Sequence, residues 1–219
     1  SAWQRGLEAA PGNADLLANV GAAYWALERP ADAVEQFEKV LQSNPNHART
    51  KSNLGTAYFY MERFEEAARL YEERVSLTPR DRDATANLAD TFYWIPGARD
   101  KSAPLYRRAI QLAREQLTIQ PNDPGLQADL AYYYAALNRP DSAALFMNRA
   151  LIRLSPDSSD VNQVYGIGET YDRMGERDLA IEWITAALKR DINRIRLRHN
   201  PFLEDLREDP RVREYLGGE

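Results

Sequence analysis

Apolar positions recur along this chain with a helical period. In the stretch 14–26, Leu17, Val20, Gly21 and Tyr24 stand at i, i+3, i+4 and i+7, the stripe of an amphipathic helix. Ala33, Phe37 and Val40 form a second stripe, opened by Pro30 and stopped by Pro45. Proline suits the first turn of a helix because the N–H it lacks has no helical partner there. The whole pattern returns 34 residues later, with Gly55 for Gly21, Tyr58 for Tyr24, Ala67 for Ala33, Tyr71 for Phe37 and Pro79 for Pro45. A fixed period of this length is read before other signals, because it decides the architecture.

The period divides the chain into helix pairs at 14–47, 48–81, 82–123, 124–160 and 161–194, with a closing segment at 195–219. Residues 1–13 carry Trp3, Gly6 and Pro11 at the spacing of Phe37, Val40 and Pro45. They are expected to be the second half of a preceding unit, with an N-terminal capping helix as the alternative. Gly21 should lower helix stability by about 1 kcal/mol relative to alanine. Close helix approach, with Ala33 opposite, is the expected compensation. In the second unit Lys51 replaces a large apolar residue and Arg74 a small one, and their aliphatic stems are expected to fill the places.

The third unit is the long one. Leu88, Ala89 and Phe92 mark its first helix, and the turn 95–98 has one extra residue. Pro121 arrives seven residues late, about two helical turns. A second helix from about Lys101 to Ile119 should therefore project beyond its neighbours, with Ile110, Leu112, Leu117 and Ile119 as apolar positions. In the fourth unit Leu130, Ala131, Tyr134, Ala143, Met147 and Ala150 keep the pattern. In the fifth, Val164, Ile167, Gly168, Tyr171, Ala180, Ile184 and Ala187 do so. Asn200-Pro201 and Asp209-Pro210 each read as an N-cap followed by proline, predicting short helices at 201–207 and 210–216 that cover the open end.

The small, aromatic and proline positions, repeated in register, resemble the tetratricopeptide repeat family. The resemblance implies an all-α solenoid, a right-handed superhelix of antiparallel helix pairs with C-terminal capping helices. It also implies protein binding rather than catalysis. Asp209-Pro210-Arg211-Val212 between Leu206 and Leu216, and the stretch from Leu88 to Gly97, are similar to repeat arrays of bacterial regulatory proteins. In those proteins the array often follows a kinase, cyclase or DNA-binding domain.

Charge and composition narrow this reading. A net charge of −5 argues against phosphate-backbone binding, and the absence of cysteine removes disulfides and thiol nucleophiles. No apolar run reaches the roughly 18–20 residues of a membrane span, and a cytoplasmic location is expected. His47 and His199 have no partner at metal or general-base spacing. Gly166-Ile167-Gly168 follows no strand and lacks a third glycine, so it is no nucleotide fingerprint. No enzyme activity, metal or cofactor is expected. The basic run Lys189, Arg190, Arg194, Arg196 and Arg198 is read as local structure near a helix end.

By the resemblance, repeat positions two, five, nine and twelve of each first helix line a concave face that grips an extended peptide. Here that face offers Trp25, then Arg49 and Phe59 with Tyr60 beside it, then Asp83, Asp90 and Tyr93 with Trp94 next. Tyr132, with Tyr133 nearby, and then Tyr165, Glu169 and Asp172 continue it. Aromatic anchors and acidic flanks favour a peptide partner with basic character. Asn19, Asn53 and Asn87 recur at position six. In chaperone-binding relatives such an asparagine clamps a carboxylate, but Ala18 and Ala22 leave that clamp incomplete, and a structural side-chain-to-backbone bond is expected instead. The alternative function is self-assembly through the long helix of the third unit or the array ends.

Overall fold

A computed structural model describes residues 13–190 and 192–216. Most of the expected leading half repeat, including Trp3, Gly6 and Pro11, lies outside them. The described residues form thirteen α-helices and two short 3-10 turns, with no strand. The contacts group the chain into two compact units, residues 1–102 and 103–219.

The first unit holds α1 (Ala14–Ala26), α2 (Pro30–Ser43), α3 (Ala48–Tyr60), α4 (Phe64–Leu77) and α5 (Arg82–Trp94). The second holds α6 (Ser102–Leu117), α7 (Pro124–Ala136), α8 (Pro140–Ala150), α9 (Val161–Arg173) and α10 (Arg177–Leu188). It closes with α11 (Ile195–Arg198), α12 (Glu204–Arg207) and α13 (Pro210–Leu216). Contacts pair α1 with α2, α3 with α4, α7 with α8 and α9 with α10.

Local chemistry sets the boundaries. Each first helix begins at a side-chain N-cap: Asn13, His47, Asp81, Asp123 and Asp160 accept backbone N–H groups of α1, α3, α5, α7 and α9. His47 does this with Nδ1 while Nε2 lies 3.3 Å from Asp15. The tight turn within a pair needs one left-handed residue, supplied by Glu28, Glu62 and Asn138 at φ 57°, 58° and 54° and by Gly175 at 80°. Only glycine adopts that conformation without strain.

Packing follows the repeat stripe. The ring of Phe37 lies over Gly21, Tyr71 over Gly55 and Ile184 over Gly168. The atoms nearest a Cβ at Gly21 belong to the Phe37 ring, at 2.5–3.1 Å, and Ala33 is fully buried. Lys51 and Arg74 do more than lay down their stems. Lys51 is 6% exposed and pairs with Glu73, while Arg74 Nη2 sits 2.6 Å from Asp81. The charged heads are neutralised locally, so two departures from the apolar pattern are tolerated.

The third repeat's insertion is spread out. Its second helix starts with a 3-10 turn at Arg99–Lys101, and Ser102, Tyr106 and Ala109 are buried where Ala67, Tyr71 and Arg74 stand one repeat earlier. Relative to α4, five of the seven inserted residues lengthen the helix and two lengthen the loop after it. The overhang is therefore about 1.5 turns rather than two. Ile110 and Leu112 are buried, and Ile119 is 80% exposed beyond the end of α6.

The closing segment covers α9 and α10. Ile195, Leu197, Leu203, Leu206 and Val212 are buried. The predicted helix at 201–207 is a 3-10 turn followed by α12, and α11 forms where no helix was expected. The basic run makes local bonds here: Arg190 donates to the carbonyls of Pro156 and Ser159 in the linker before α9, and Arg194 to that of Tyr215 in the cap.

Candidate functional site

The predicted binding residues divide between the two units. In the first, an aromatic ladder links three repeats. Trp25 meets Tyr60 at 5.9 Å between ring centroids, Tyr60 meets Phe59 at 5.4 Å and Phe59 meets Phe64 at 5.5 Å. Phe64 stacks on Trp94 at 6.2 Å, and Trp94 meets Tyr93 at 5.4 Å. The Arg99 guanidinium closes the series 3.8 Å above Tyr93 and donates to its hydroxyl. Phe59 and Tyr60 are buried within the ladder, whereas Trp25, Tyr93 and Trp94 are half-buried. Offset and edge-on ring pairs of this kind rigidify what they hold. Phe64 and Arg99 were not singled out from sequence. Phe64 occupies the helix start that Pro30 and Pro140 occupy elsewhere, and that substitution was the available signal.

The polar residues of this unit lie on the same first helices. Arg49 donates to Asn19 Oδ1 at 3.1 Å and lies 3.7 Å from Asp15. Asn53 and Asn87 are half-buried on α3 and α5, and neither side-chain amide has a hydrogen-bond partner among the described residues. The expected side-chain-to-backbone bond of the position-six asparagines is therefore not formed. Asp83 lies 3.4 Å from Arg82 and keeps 67% of its side chain exposed. Desolvation pushes its carboxyl pKa up, with Arg82 opposing. So exposed a side chain stays largely hydrated, and that tempers the shift. Asp90 is half-buried on α5, the helix that carries Tyr93 and Trp94.

In the second unit the corresponding face is occupied by the chain itself. Glu169 accepts from Asn200 Nδ2 at 2.6 Å and lies 3.5 Å from Arg196. Arg196 also covers the ring of Tyr165, which is fully buried, and donates to Asn162. Arg173 donates to the Tyr132 hydroxyl at 2.7 Å and lies between the rings of Tyr132 and Phe202. Tyr132 is half-buried, and Tyr133 is buried against Tyr106. Asp172 is half-buried, and burial raises its carboxyl pKa against the opposing charges of Arg177 and Arg173. Here Tyr165 and Glu169 hold the C-terminal cap in place. Sequence could not show this, because the cap residues lie about 30 positions away.

Among the described residues, no group of three or more histidine, cysteine, aspartate or glutamate side chains is placed to hold a metal ion. No helix among them is long and apolar enough to cross a membrane.

Comparison with known families agrees with the repeat. Three models, each described as tetratricopeptide repeat, match residues 16–80, 52–116 and 164–191, together more than half of the chain. The chain is a tetratricopeptide repeat protein. Among solved structures, the array is similar to a thermophilic tetratricopeptide protein of Thermus thermophilus, with 20% identity and a TM-score of 0.59 over 87% of this chain and 99% of that one. It is also similar to Pseudomonas aeruginosa pilF, with 17% identity and a TM-score of 0.52 over 97% and 85%. A third similar structure is YrrB, described as having an unusual peptide-binding site, with 17% identity and a TM-score of 0.51 over 94% and 98%. At these identities the likeness concerns the fold. No curated protein sequence matches the chain.

Proposed function

We propose that this tetratricopeptide array is a protein-interaction module whose first unit takes an extended peptide segment along α1, α3 and α5. The observation that carries the reading is the pair Asn53 and Asn87, half-buried amides in register on successive first helices without an internal partner. A carboxamide offers a donor and an acceptor, which is what a peptide backbone group requires. Packed helices lie roughly 8–10 Å apart, and an extended chain rises about 3.3 Å per residue. The two amides thus suit backbone groups about three residues apart. Trp25, Tyr93 and Trp94 supply the adjoining apolar anchors, and Asp83 and Asp90 favour a basic side chain in the ligand. The module is proposed to serve a larger bacterial regulatory protein.

The test is selection of a displayed library of random peptides on the protein, followed by affinity measurement on the Asn53→Ala/Asn87→Ala variant. Two neutral hydrogen bonds are worth about 1–3 kcal/mol together, so binding should weaken roughly five- to hundredfold. Selected peptides that bind the variant equally well would refute the reading, as would the absence of any selected extended peptide.

The second reading is self-association through the overhang of α6, favoured by the exposure of Ile119. Light scattering should then show a mass that rises with concentration for the wild type and stays monomeric for Ile119→Glu. A monomeric wild type at high concentration rules it out.

A further inference from the structure

The first and third repeats place opposite charges at the same spot. In the first, the Tyr58 hydroxyl donates to Glu38 Oε1 at 2.5 Å. Arg63 lies 4.0 Å above the Tyr58 ring and pairs with Glu66 at 2.7 Å. This cluster carries two carboxylates and one guanidinium, and its arginine is satisfied internally. Two repeats on, Arg107 follows Tyr106 as Glu38 follows Phe37, and Tyr134, Arg139 and Ser142 repeat the spacing of Tyr58, Arg63 and Glu66. Both carboxylates are gone, and a second arginine has taken the place of one of them.

The structure shows what this substitution makes. Arg107 and Arg139 flank a depression of about 290 Å³ whose floor is Ile110, Tyr134 and Leu137. A second depression of about 400 Å³ adjoins it, sharing Arg107 and Ile110 and extending to Arg114. Arg107, Arg114 and Arg139 are exposed, and none has a carboxylate partner among the described residues. Arg114 makes only a distant approach, 5.8 Å, to the Tyr134 ring. The one carboxylate lining the second depression, Glu115, accepts from Gln111 at 3.0 Å. Other arginines of this acidic chain do find carboxylates, as Arg29 does in Asp32, Arg74 in Asp81 and Arg211 in Asp178. Three exposed guanidiniums gathered around an apolar floor offer an outside anion both charge and contact area.

The geometry points to a second docking surface, on α6 and the α7–α8 turn, that takes an acidic amphipathic helix of a partner protein. Arg107 and Arg114 are seven residues apart on one face of α6, about 10 Å along its axis. Carboxylates two turns apart on a packed helix match that separation, and an apolar side chain between them meets Ile110, Tyr134 and Leu137. The apolar floor selects a protein segment over a bare phosphate chain. This surface is independent of the peptide face of the first unit and asks for the opposite ligand charge.

The probe is a fluorescent alanine-based helical peptide with Glu at i and i+7 and Leu at i+3 and i+4. Anisotropy titration should give saturable binding that weakens with salt, and a peptide with Lys for Glu should not bind. Arg107→Glu/Ser142→Glu restores the first repeat's internal network, so it should fold normally and weaken the acidic peptide at least about tenfold, since it removes one arginine and satisfies another. Arg107→Glu/Arg114→Glu should lose the acidic peptide and gain the Lys peptide. No binding by wild type, or equal binding by both variants with intact circular dichroism, overturns the proposal. So does stronger arginine-dependent binding of single-stranded DNA or anionic vesicles than of the peptide.

Discussion

Two glycines on one helix offer a direct test of how the repeats pack. Gly166 and Gly168 both lie in α9. A Cβ at Gly166 would meet nothing within 4 Å. A Cβ at Gly168 would stand 2.7 Å from Ile184 Cγ1, 2.8 Å from its Cδ1 and 3.1 Å from its backbone nitrogen. Alanine gains about 1 kcal/mol over glycine in a helix interior. Gly166→Ala should therefore stabilise by about that amount. Gly168→Ala gains the same propensity but overpacks an interface whose partner includes backbone, a penalty of about 1–3 kcal/mol. Its net effect runs from neutral to about 2 kcal/mol destabilising, so the two variants should differ by about 1–3 kcal/mol. Urea denaturation followed by circular dichroism measures this, with unchanged m-values required before midpoints are compared. Gly168→Ala equal to or more stable than Gly166→Ala would refute the idea that Ile184 on Gly168 sets the pair's separation. Gly55→Ala should fall between them, because the nearest atoms, 3.0–3.3 Å away, belong to the Tyr71 ring, which can shift.

Burial, helped by the bond to Glu38, pushes the Tyr58 phenol up to about 12. The folded state thus holds this proton more tightly than the unfolded chain, whose tyrosines titrate near 10. Its contribution to stability is complete below about pH 10 and is lost as pH rises towards about 12, so Tyr58→Phe should flatten the alkaline limb of the stability curve. Asp209 is held down at about 2 by the Arg211 side chain first and by that residue's backbone N–H. Its contribution is present above about pH 4 and is lost as pH falls towards about 2. Acid loosening of the cap, read by hydrogen exchange in α13, should occur in the wild type over that range and be absent as a pH-dependent step in Asp209→Asn. Asn200→Ala removes the donor to Glu169 from a side chain that is 4% exposed, and should destabilise the second unit by about 1–3 kcal/mol on denaturation. Glu62→Gly should raise stability by about 1 kcal/mol, because Glu62 sits at φ 58° where glycine is unstrained. A loss of stability there would show that the Glu62 side chain outweighs the strain of its backbone.

The sequence by itself determined the class, the repeat and nearly every element. Helical stripes, N-capping residues and terminal prolines act over three or four residues, and local patterns of that kind survive in one dimension. Even the tail's Asn200-Pro201 and Asp209-Pro210 marked their turns. Tertiary structure decided which repeated positions still face outward. Tyr165 and Glu169 occupy the same register as residues of the first unit, yet Arg196 and Asn200 of the cap cover them. Glu38 finds its partner in the Tyr58 hydroxyl, twenty residues on. Charge pairing and burial depend on side chains about 20 to 40 residues apart meeting in space. A periodic sequence makes such sites look alike until the neighbours are known.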